Sequence, residues 1–572
     1  MPKGFGSVVK EIKANTDTVE FTNFHQLEID EARVYMNTAH PYWFDTSRPT
    51  QENSVLPFML ERNAANAPDN VCCRFADGTI WTNQETLNKT RQTAALFESF
   101  DIKRGDYVLA WLPNGPAVIR TWFALNYLGA IFVPLNLDYR GRMLEHVIRE
   151  TKGTVMVAHP ELIDRLADIE TSLDTVLSVG GEDGIIGGKI KVSATHLEFD
   201  GEVSTPADMQ PWDPQMVIFT SGTTGPSKGV LCPYLQQVSV GKGAYGYMTS
   251  DDCILIDLPM FHVGGVSPTM AAITNGATMA LYDGFSTEKF WKRVKESNAT
   301  TTSGLIGSMA AFLANAPVEQ ENVDNSLKII NGILNDQTIE VAKRYNFRLC
   351  SGFNMSELSV PLVITTEDRV AGSMGTPRTG CQCRVVDEHD YECVPGEVGE
   401  LLVRMDQPWE TCLGYLNRPD ATATAWRNGW FHTGDLVRKD EDGNYFFVDR
   451  LKDAVRRRGE NVSSLEVESE VLGYKSVAEA AVVGIPSELG DEDILVAVVA
   501  KPGEEIDGKS LIDYLIPLMP HYMVPRFVRV LDQLPKTPTN KLMKFAIRDE
   551  GITADTWDAE AAGIRLKKTR LS

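Results

Sequence analysis

The sequence predicts an α/β protein: a large N-terminal domain of parallel α/β sheets with a small β-rich subdomain, followed by a small α+β C-terminal domain. Three observations carry this. From Val55 strand-like and helix-like segments alternate, which implies parallel strands with helices on the sheet faces. After about residue 380 the helical periodicity thins, and Gly/Pro turns separate short strands. Beyond Arg450 an independent α+β pattern begins. A chain of 572 residues is also too long for one core and should divide into at least two domains.

Residues 1–52 read as a polar lead-in, closed by the turn-rich DTSRPTQENS. Leu56 to Asn66 then has helical periodicity, Asn70 to Phe75 is strand-like, and Asn83 to Phe97 is helical. Tyr107 to Leu112 reads as strand, Ala117 to Leu128 as helix, Ala130 to Pro134 as strand. The pattern resumes with strand Cys253 to Leu258, helix Thr287 to Glu296, strand Lys328 to Ile330 and helix Gln337 to Tyr345. Gly399 to Arg404 and Tyr445 to Asp449 are short strands of the β-rich part. The C-terminal domain offers helix Leu465 to Leu472, strands Val477 to Ile485 and Leu495 to Lys501, and helix Ser510 to Leu518. These readings divide the chain into 1–52, 53–450 and 451–572.

The charge balance narrows the partners. Lys plus Arg number 55 against 78 Asp plus Glu, a formal charge of −23. Such a chain repels nucleic acid and anionic membrane unless a basic patch is concentrated locally. Nine scattered cysteines show no zinc spacing and no disulfide framework, so reduced, cytoplasmic thiols are expected. Cys381 and Cys383 could share a strand face as two small buried residues. The most apolar stretch, Val118 to Leu135, contains Arg120, Asn126 and Pro134 and should not span a membrane. The N-terminus lacks an apolar core of signal-peptide length. Nothing in the sequence requires or excludes a homo-oligomer.

The most informative stretch is Ile218 to Val230, IFTSGTTGPSKGV. Gly222, Gly225 and Gly229 free the backbone to turn its N–H groups inward. Thr220, Ser221, Thr223, Thr224 and Ser227 add neutral donors, and Lys228 adds a positive charge. That combination suits a loop closing over a polyphosphate. Walker spacing is not met, because Ser227 and Gly229 stand where glycine and Ser/Thr would be required.

This loop resembles the signature of the adenylate-forming superfamily, which includes acyl-CoA synthetases, stand-alone adenylation domains and luciferases. Further segments match in the same order. Leu258 to Val266, LPMFHVGGV, is similar to the family's substrate gate; the resemblance gives His262, Gly264, Gly265 and also Gly307 to the acyl substrate, the paired glycines opening room for the acid. Ser351 to Leu358, SGFNMSEL, stands where members carry tyrosine-glycine-x-threonine-glutamate. Phe353 would stack on adenine beside Asn354, Ser356 would contact the α-phosphate, and Glu357 with Thr220 would hold Mg²⁺, a hard cation that wants oxygen ligands. Asn354 replaces a glycine, which leaves the backbone angle there open, and Asn331 to Asp336, NGILND, departs from the usual glycine-glycine-alanine-proline run.

The resemblance continues through Gly429 to Asp435, GWFHTGD, where Asp435 would accept the ribose hydroxyls. In Val448 to Val462, VDRLKDAVRRRGENV, Arg450 would contact the nucleotide, Lys452 matches the hinge of a mobile C-terminal domain, and Gly459 would let pantetheine pass. The Arg456–Arg457–Arg458 cluster is either a solvated face or a meeting point for CoA phosphates. In Leu534 to Lys544, LPKTPTNKLMK, Lys541 matches the adenylation catalyst, and Asn540 replaces a glycine.

The resemblance therefore implies ATP, Mg²⁺ and coenzyme A as cofactors and co-substrates, and a small carboxylic acid as substrate. It implies activation of that acid to an acyl-adenylate, pyrophosphate release, and transfer to CoA. Transfer to a carrier protein or another acceptor stays open, as do a luciferase-like oxidase and a non-catalytic acyl or nucleotide sensor. CoA is favoured because the sequence stops soon after the small domain. FNMSEL together with LPKTPTNKLMK looks most similar to the crotonobetaine/carnitine-CoA ligase-like branch.

Overall fold

The computed structural model describes residues 48–220, 227–305, 309–317, 320–332, 334, 336–364, 370, 372–450, 454–458, 460–487, 490–535, 542 and 544–566. From Pro49 on these form one compact unit, Pro49–Ser572.

An eight-stranded sheet forms the first half of the fold. Its order is Lys228–Pro233, Pro214–Thr220, Ile131–Pro134, Tyr107–Trp111, Val155–Ala158, Thr175–Val179, Ile190–Thr195 and Gly184–Ile186. The six inner strands are parallel and the two edge strands antiparallel. Beside it, a five-stranded sheet runs Thr301–Thr302, Cys253–Ile256, Thr278–Leu281, Val71–Phe75 and Ile80–Thr82. A four-stranded antiparallel sheet, Cys381–Val386, Val398–Met405, Phe431–Lys439 and Tyr445–Arg450, is the β-rich subdomain. The C-terminal sheet centres on Glu492–Ala500, antiparallel to Val477–Pro486 and parallel to Phe527–Val530.

Local chemistry explains the boundaries. Helix Asn83–Ser99 starts at Thr82, whose hydroxyl accepts from the Glu85 amide while Glu85 accepts from the Thr82 amide. This reciprocal box satisfies two otherwise orphaned donors. The apolar stretch around Trp122 is core. Helix Pro116–Tyr127 and strand Ile131–Pro134 bury it, and Trp122 stacks on Phe132 at 5.5 Å. Its polar residues are satisfied: Arg120 donates to the Thr93 hydroxyl at 2.9 Å and pairs with Glu198, and Asn126 donates to the carbonyls of Ala130 and Gln215. Among the described residues no helix is long and apolar enough to cross a membrane.

LPMFHVGGV runs into helix Val263–Asn275, which His262 caps by accepting from the Gly264 amide at 3.2 Å. One sequence expectation changes. Arg457, read as part of an exposed cluster, is 2% exposed and paired with Asp493 at 3.1 Å. Burial lowers its guanidinium to about 10, and Asp493 works in the opposite direction. Arg457 therefore ties strand Ala454–Arg457 to the C-terminal sheet. Cys381 and Cys383 do share a face, with sulfurs 3.9 Å apart and both thiols free.

Candidate active site

The sheets and the C-terminal domain enclose a cleft of about 1480 Å³. It is walled by Thr220, Lys228, His262, Gly264, Phe353, Asn354, Ser356, Glu357 and Asp435, residues drawn from four separate sequence segments.

Thr220 and Lys228 face each other across the hairpin of strands Pro214–Thr220 and Lys228–Pro233, and both line the cleft. The Thr220 hydroxyl donates to the Lys228 carbonyl at 3.5 Å. Residues 413–416 run along the outer edge of this hairpin, with the Leu413 amide on the Leu231 carbonyl and the Leu416 amide on the Gly229 carbonyl. They bring Tyr415 inward. The Lys228 ammonium lies 4.4 Å from the centre of the Tyr415 ring, a cation–π distance, and the Tyr415 hydroxyl donates to Glu357 at 2.8 Å. Burial, followed by the Glu357 charge and hydrogen bond, pushes the phenol far above its ordinary value. Tyr415 thus stays a donor and fixes one carboxylate oxygen of the buried Glu357.

Phe353 ends strand Arg348–Phe353 and packs against the core of the β-rich subdomain. Behind Ser356, Gln236 donates its amide to the Ser356 and Leu358 carbonyls at 2.9 and 3.3 Å. Asn354 takes no left-handed angle; the strained residue is Val360, at φ 49°, and the Asn354 side chain accepts its amide at 3.1 Å. Asp435 is fully buried in strand Phe431–Lys439, directly opposite Arg450. At the same rim His432 meets Glu400 at 2.9 Å, and Glu400 also accepts the Gly434 amide at 3.0 Å.

Gly265 requires a correction. Gly264 borders the cleft, but a Cβ on Gly265 would lie 2.3 Å from the Pro259 carbonyl oxygen, so its smallness permits a backbone approach and does not make room for an acid. Arg450 is placed by its backbone alone. Ser221, Gly222, Thr223, Thr224, Gly307, Lys452, Gly459 and Lys541 lie outside the described residues. Arg456 and Glu460, which flank the segment around Gly459, do line the cleft.

Tyr415, Gln236 and Ser227 were not singled out for these contacts. Tyr415 had one signal, an aromatic after glycine in ETCLGYLN, but its partner Glu357 is 58 positions away. Ser227 donates both its amide and its hydroxyl to Glu466 of the C-terminal domain, at 2.6 and 3.0 Å.

For a divalent cation, Thr220 and Glu357 offer a hydroxyl and a carboxylate on one cleft. This is a hard-oxygen pair that fits Mg²⁺ arriving with nucleotide phosphates, which keeps water and phosphate ligands.

The family model described as AMP-binding enzyme matches residues 60–416, and that described as AMP-binding enzyme C-terminal domain matches 466–541. Among curated proteins, the chain is 28% identical over 507 residues to a feruloyl-CoA synthase of an Amycolatopsis species, covering 87% of this chain and 99% of that one. It is 29% identical over 478 residues to a crotonobetaine/carnitine–CoA ligase of Salmonella arizonae, covering 80% and 91%. Among solved structures, o-succinylbenzoate CoA synthetase of Bacillus subtilis, bound to a product analogue, superposes with a TM-score of 0.75 at 23% identity, covering 86% and 98%.

Proposed function

The chain belongs to the AMP-binding enzyme family, and on that premise we propose that it is an AMP-forming acid–thiol ligase. It activates a carboxylic acid with ATP to an acyl-adenylate, releases pyrophosphate, and passes the acyl group to coenzyme A, leaving AMP. The observation that carries this reading is the convergence of Thr220, Lys228, Phe353, Ser356, Glu357 and Asp435 on one cleft.

The chemistry brings a carboxylate onto the α-phosphorus of ATP. Both are anions, so charge must be neutralised and the reactants held in line. Lys228, with the hydroxyls of Ser221, Thr223 and Thr224 and the backbone at Gly222, cradles the phosphates that leave. Phe353, beside Asn354, supplies a face for adenine, Ser356 a donor to the α-phosphate, and Asp435 an acceptor for the ribose hydroxyls, with Arg450 beside it. Glu357 and Thr220 would hold Mg²⁺, which offsets phosphate charge when bound. Glu357 is held in orientation by Tyr415 at 2.8 Å. Lys541 bridges the carboxylate and α-phosphate, an electrostatic contribution that can reach several kcal/mol.

We take 53–450 as the adenylating domain and 451–572 as a domain turning at Lys452, so that Lys541 serves the first half-reaction and Gly459 the second. Arg456 and Glu460 lining the cleft support the second arrangement here. Free thiols throughout support a reducing, cytoplasmic setting.

The test is pyrophosphate release from ATP–Mg²⁺ across a panel of acids, with and without CoA. Acid-dependent release, with a CoA thioester forming only when CoA is present, is the expected outcome. Release without thioester would move the acceptor to a carrier protein or an amine. Lys541→Ala should abolish release yet spare thioester formation from supplied acyl-adenylate; equal loss of both would refute the two-arrangement scheme.

A further inference from the structure

Asp435 sits on an irregularity of the β-rich sheet, and one residue of the neighbouring strand is bound to that irregularity at two points. Along strand Val398–Met405, Glu400 pairs with Leu436 and Leu402 pairs with His432 of strand Phe431–Lys439. Leu401 therefore stands opposite three residues, Thr433, Gly434 and Asp435. Such a bulge re-aims a side chain and takes backbone donors out of the ladder, so they need other partners. Gly434 supplies the left-handed angle, at φ 73°. The Thr433 hydroxyl fastens the bulge from within, donating to the Leu401 carbonyl at 2.8 Å and accepting the Asp435 amide at 3.1 Å.

Glu400 fastens the same bulge from across the strands. One of its carboxylate oxygens accepts the Gly434 amide at 3.0 Å, and the other meets His432 Nδ1 at 2.9 Å. A carboxylate oxygen only accepts, so the His432 ring donates through Nδ1. The His432 side chain is 3% exposed and that of Glu400 12%, which leaves water little room to compete. Arg427 adds a cation 3.1 Å from the oxygen that meets His432. The ladder is intact on either side, with Val398 opposite Arg438 and Val403 opposite Phe431, so the two Glu400 bonds serve the bulge. Glu400, His432, Thr433 and Gly434 border the cleft together with Asp435.

Resting on the reading of Asp435 as acceptor of the ribose hydroxyls, we infer that Glu400 is a positioning residue for the nucleotide. By holding the Gly434 amide and the His432 ring, it fixes the direction in which the Asp435 carboxylate meets the ribose. Glu400 acts through the bulge and not on the nucleotide. A carboxylate that accepts two hydroxyls discriminates only while its oxygens are held in line with them. Loss of Glu400 therefore loosens recognition of the ribose more than it slows attack at the α-phosphorus.

The experiment compares kcat/KM for acid-dependent pyrophosphate release with ATP and with 2′,3′-dideoxy-ATP. Wild type should favour ATP by at least about tenfold, and Asp435→Ala should bring the two nucleotides close to parity. Glu400→Ala should lower the preference for ATP at least about fivefold, mainly through a higher KM for ATP. Glu400→Gln keeps one acceptor oxygen and should fall between Glu400→Ala and wild type; it decides the matter if the alanine variant does not fold. A purely structural role would slow both nucleotides alike, so a wild-type preference retained in the folded Glu400 variants overturns the inference. No preference in wild type, or full preference in Asp435→Ala, would instead refute the ribose reading on which it rests. Absence of acid-dependent release from wild type would refute the ligase reading itself.

Discussion

Glu357 is the residue whose surroundings most constrain its role. It is 6% exposed, accepts from Tyr415 at 2.8 Å, and sits on a loop pinned by Gln236 from behind. A buried carboxylate held at one oxygen keeps the other oriented for a cation or donor. Glu357→Gln should lower kcat/KM for pyrophosphate release by about 10²-fold or more and raise the Mg²⁺ concentration needed for half-maximal rate. Tyr415→Phe should cost about tenfold or less, since it removes one orienting hydrogen bond. Titrating both variants with Mg²⁺ separates the two effects; an unchanged Mg²⁺ requirement in Glu357→Gln would remove the cation from this residue. Asn354 makes a second point at this scale. Its replacement of a glycine left the local backbone open in sequence, and the structure resolves it through the 3.1 Å contact that caps Val360.

Among the elements, helix Val263–Asn275 depends on the backbone approach at its first turn. A Cβ on Gly265 would meet the Pro259 carbonyl oxygen and carbon at 2.3 and 2.6 Å, atoms fixed in the main chain. On Gly264 it would meet the Leu258 side chain at 2.7 Å, which can move. Gly265→Ala should therefore destabilise the protein by about 1–3 kcal/mol, the usual cost of overpacking, while Gly264→Ala should cost less. Thermal melts of the two variants provide the check, and equal melting temperatures would show that the Pro259 turn yields. Helix Asn83–Ser99 shows the opposite case, an element whose start is set by the local Thr82–Glu85 box.

For the whole molecule, the joint between the domains carries a titratable contact. Glu466 accepts from the Ser227 amide and hydroxyl, and the His146 ring lies 2.8 Å from the Ser227 carbonyl oxygen, so Ser227 is held by both domains. Burial raises the Glu466 carboxyl to about 7, against the opposing pull of the Ser227 hydrogen bonds. A carboxyl raised on folding contributes stability that is fully present below its unfolded value near 4.5 and is lost as pH rises through about 7. Glu466→Gln should consequently gain melting temperature relative to wild type at pH 8 and lose that advantage at pH 5. The same gap at both pH values would place the titration elsewhere.

Periodicity alone located most of the elements, because apolar spacing is a local property. Helix Leu56–Asn66 falls where it was read, and strands Val477–Pro486 and Glu492–Ala500 differ from their expected ends by a few residues. The IFTSGTTGPSKGV loop and the ordered motifs after it likewise disclosed the family, since loop chemistry is written in consecutive residues. Tertiary structure decided what depends on partners far apart in the chain. It made Arg457 a buried tie to Asp493, and joined Tyr415 to Glu357 and Ser227 to Glu466. A one-dimensional pattern reports which face of an element is apolar; which atoms meet across it is fixed only when the sheets and helices pack.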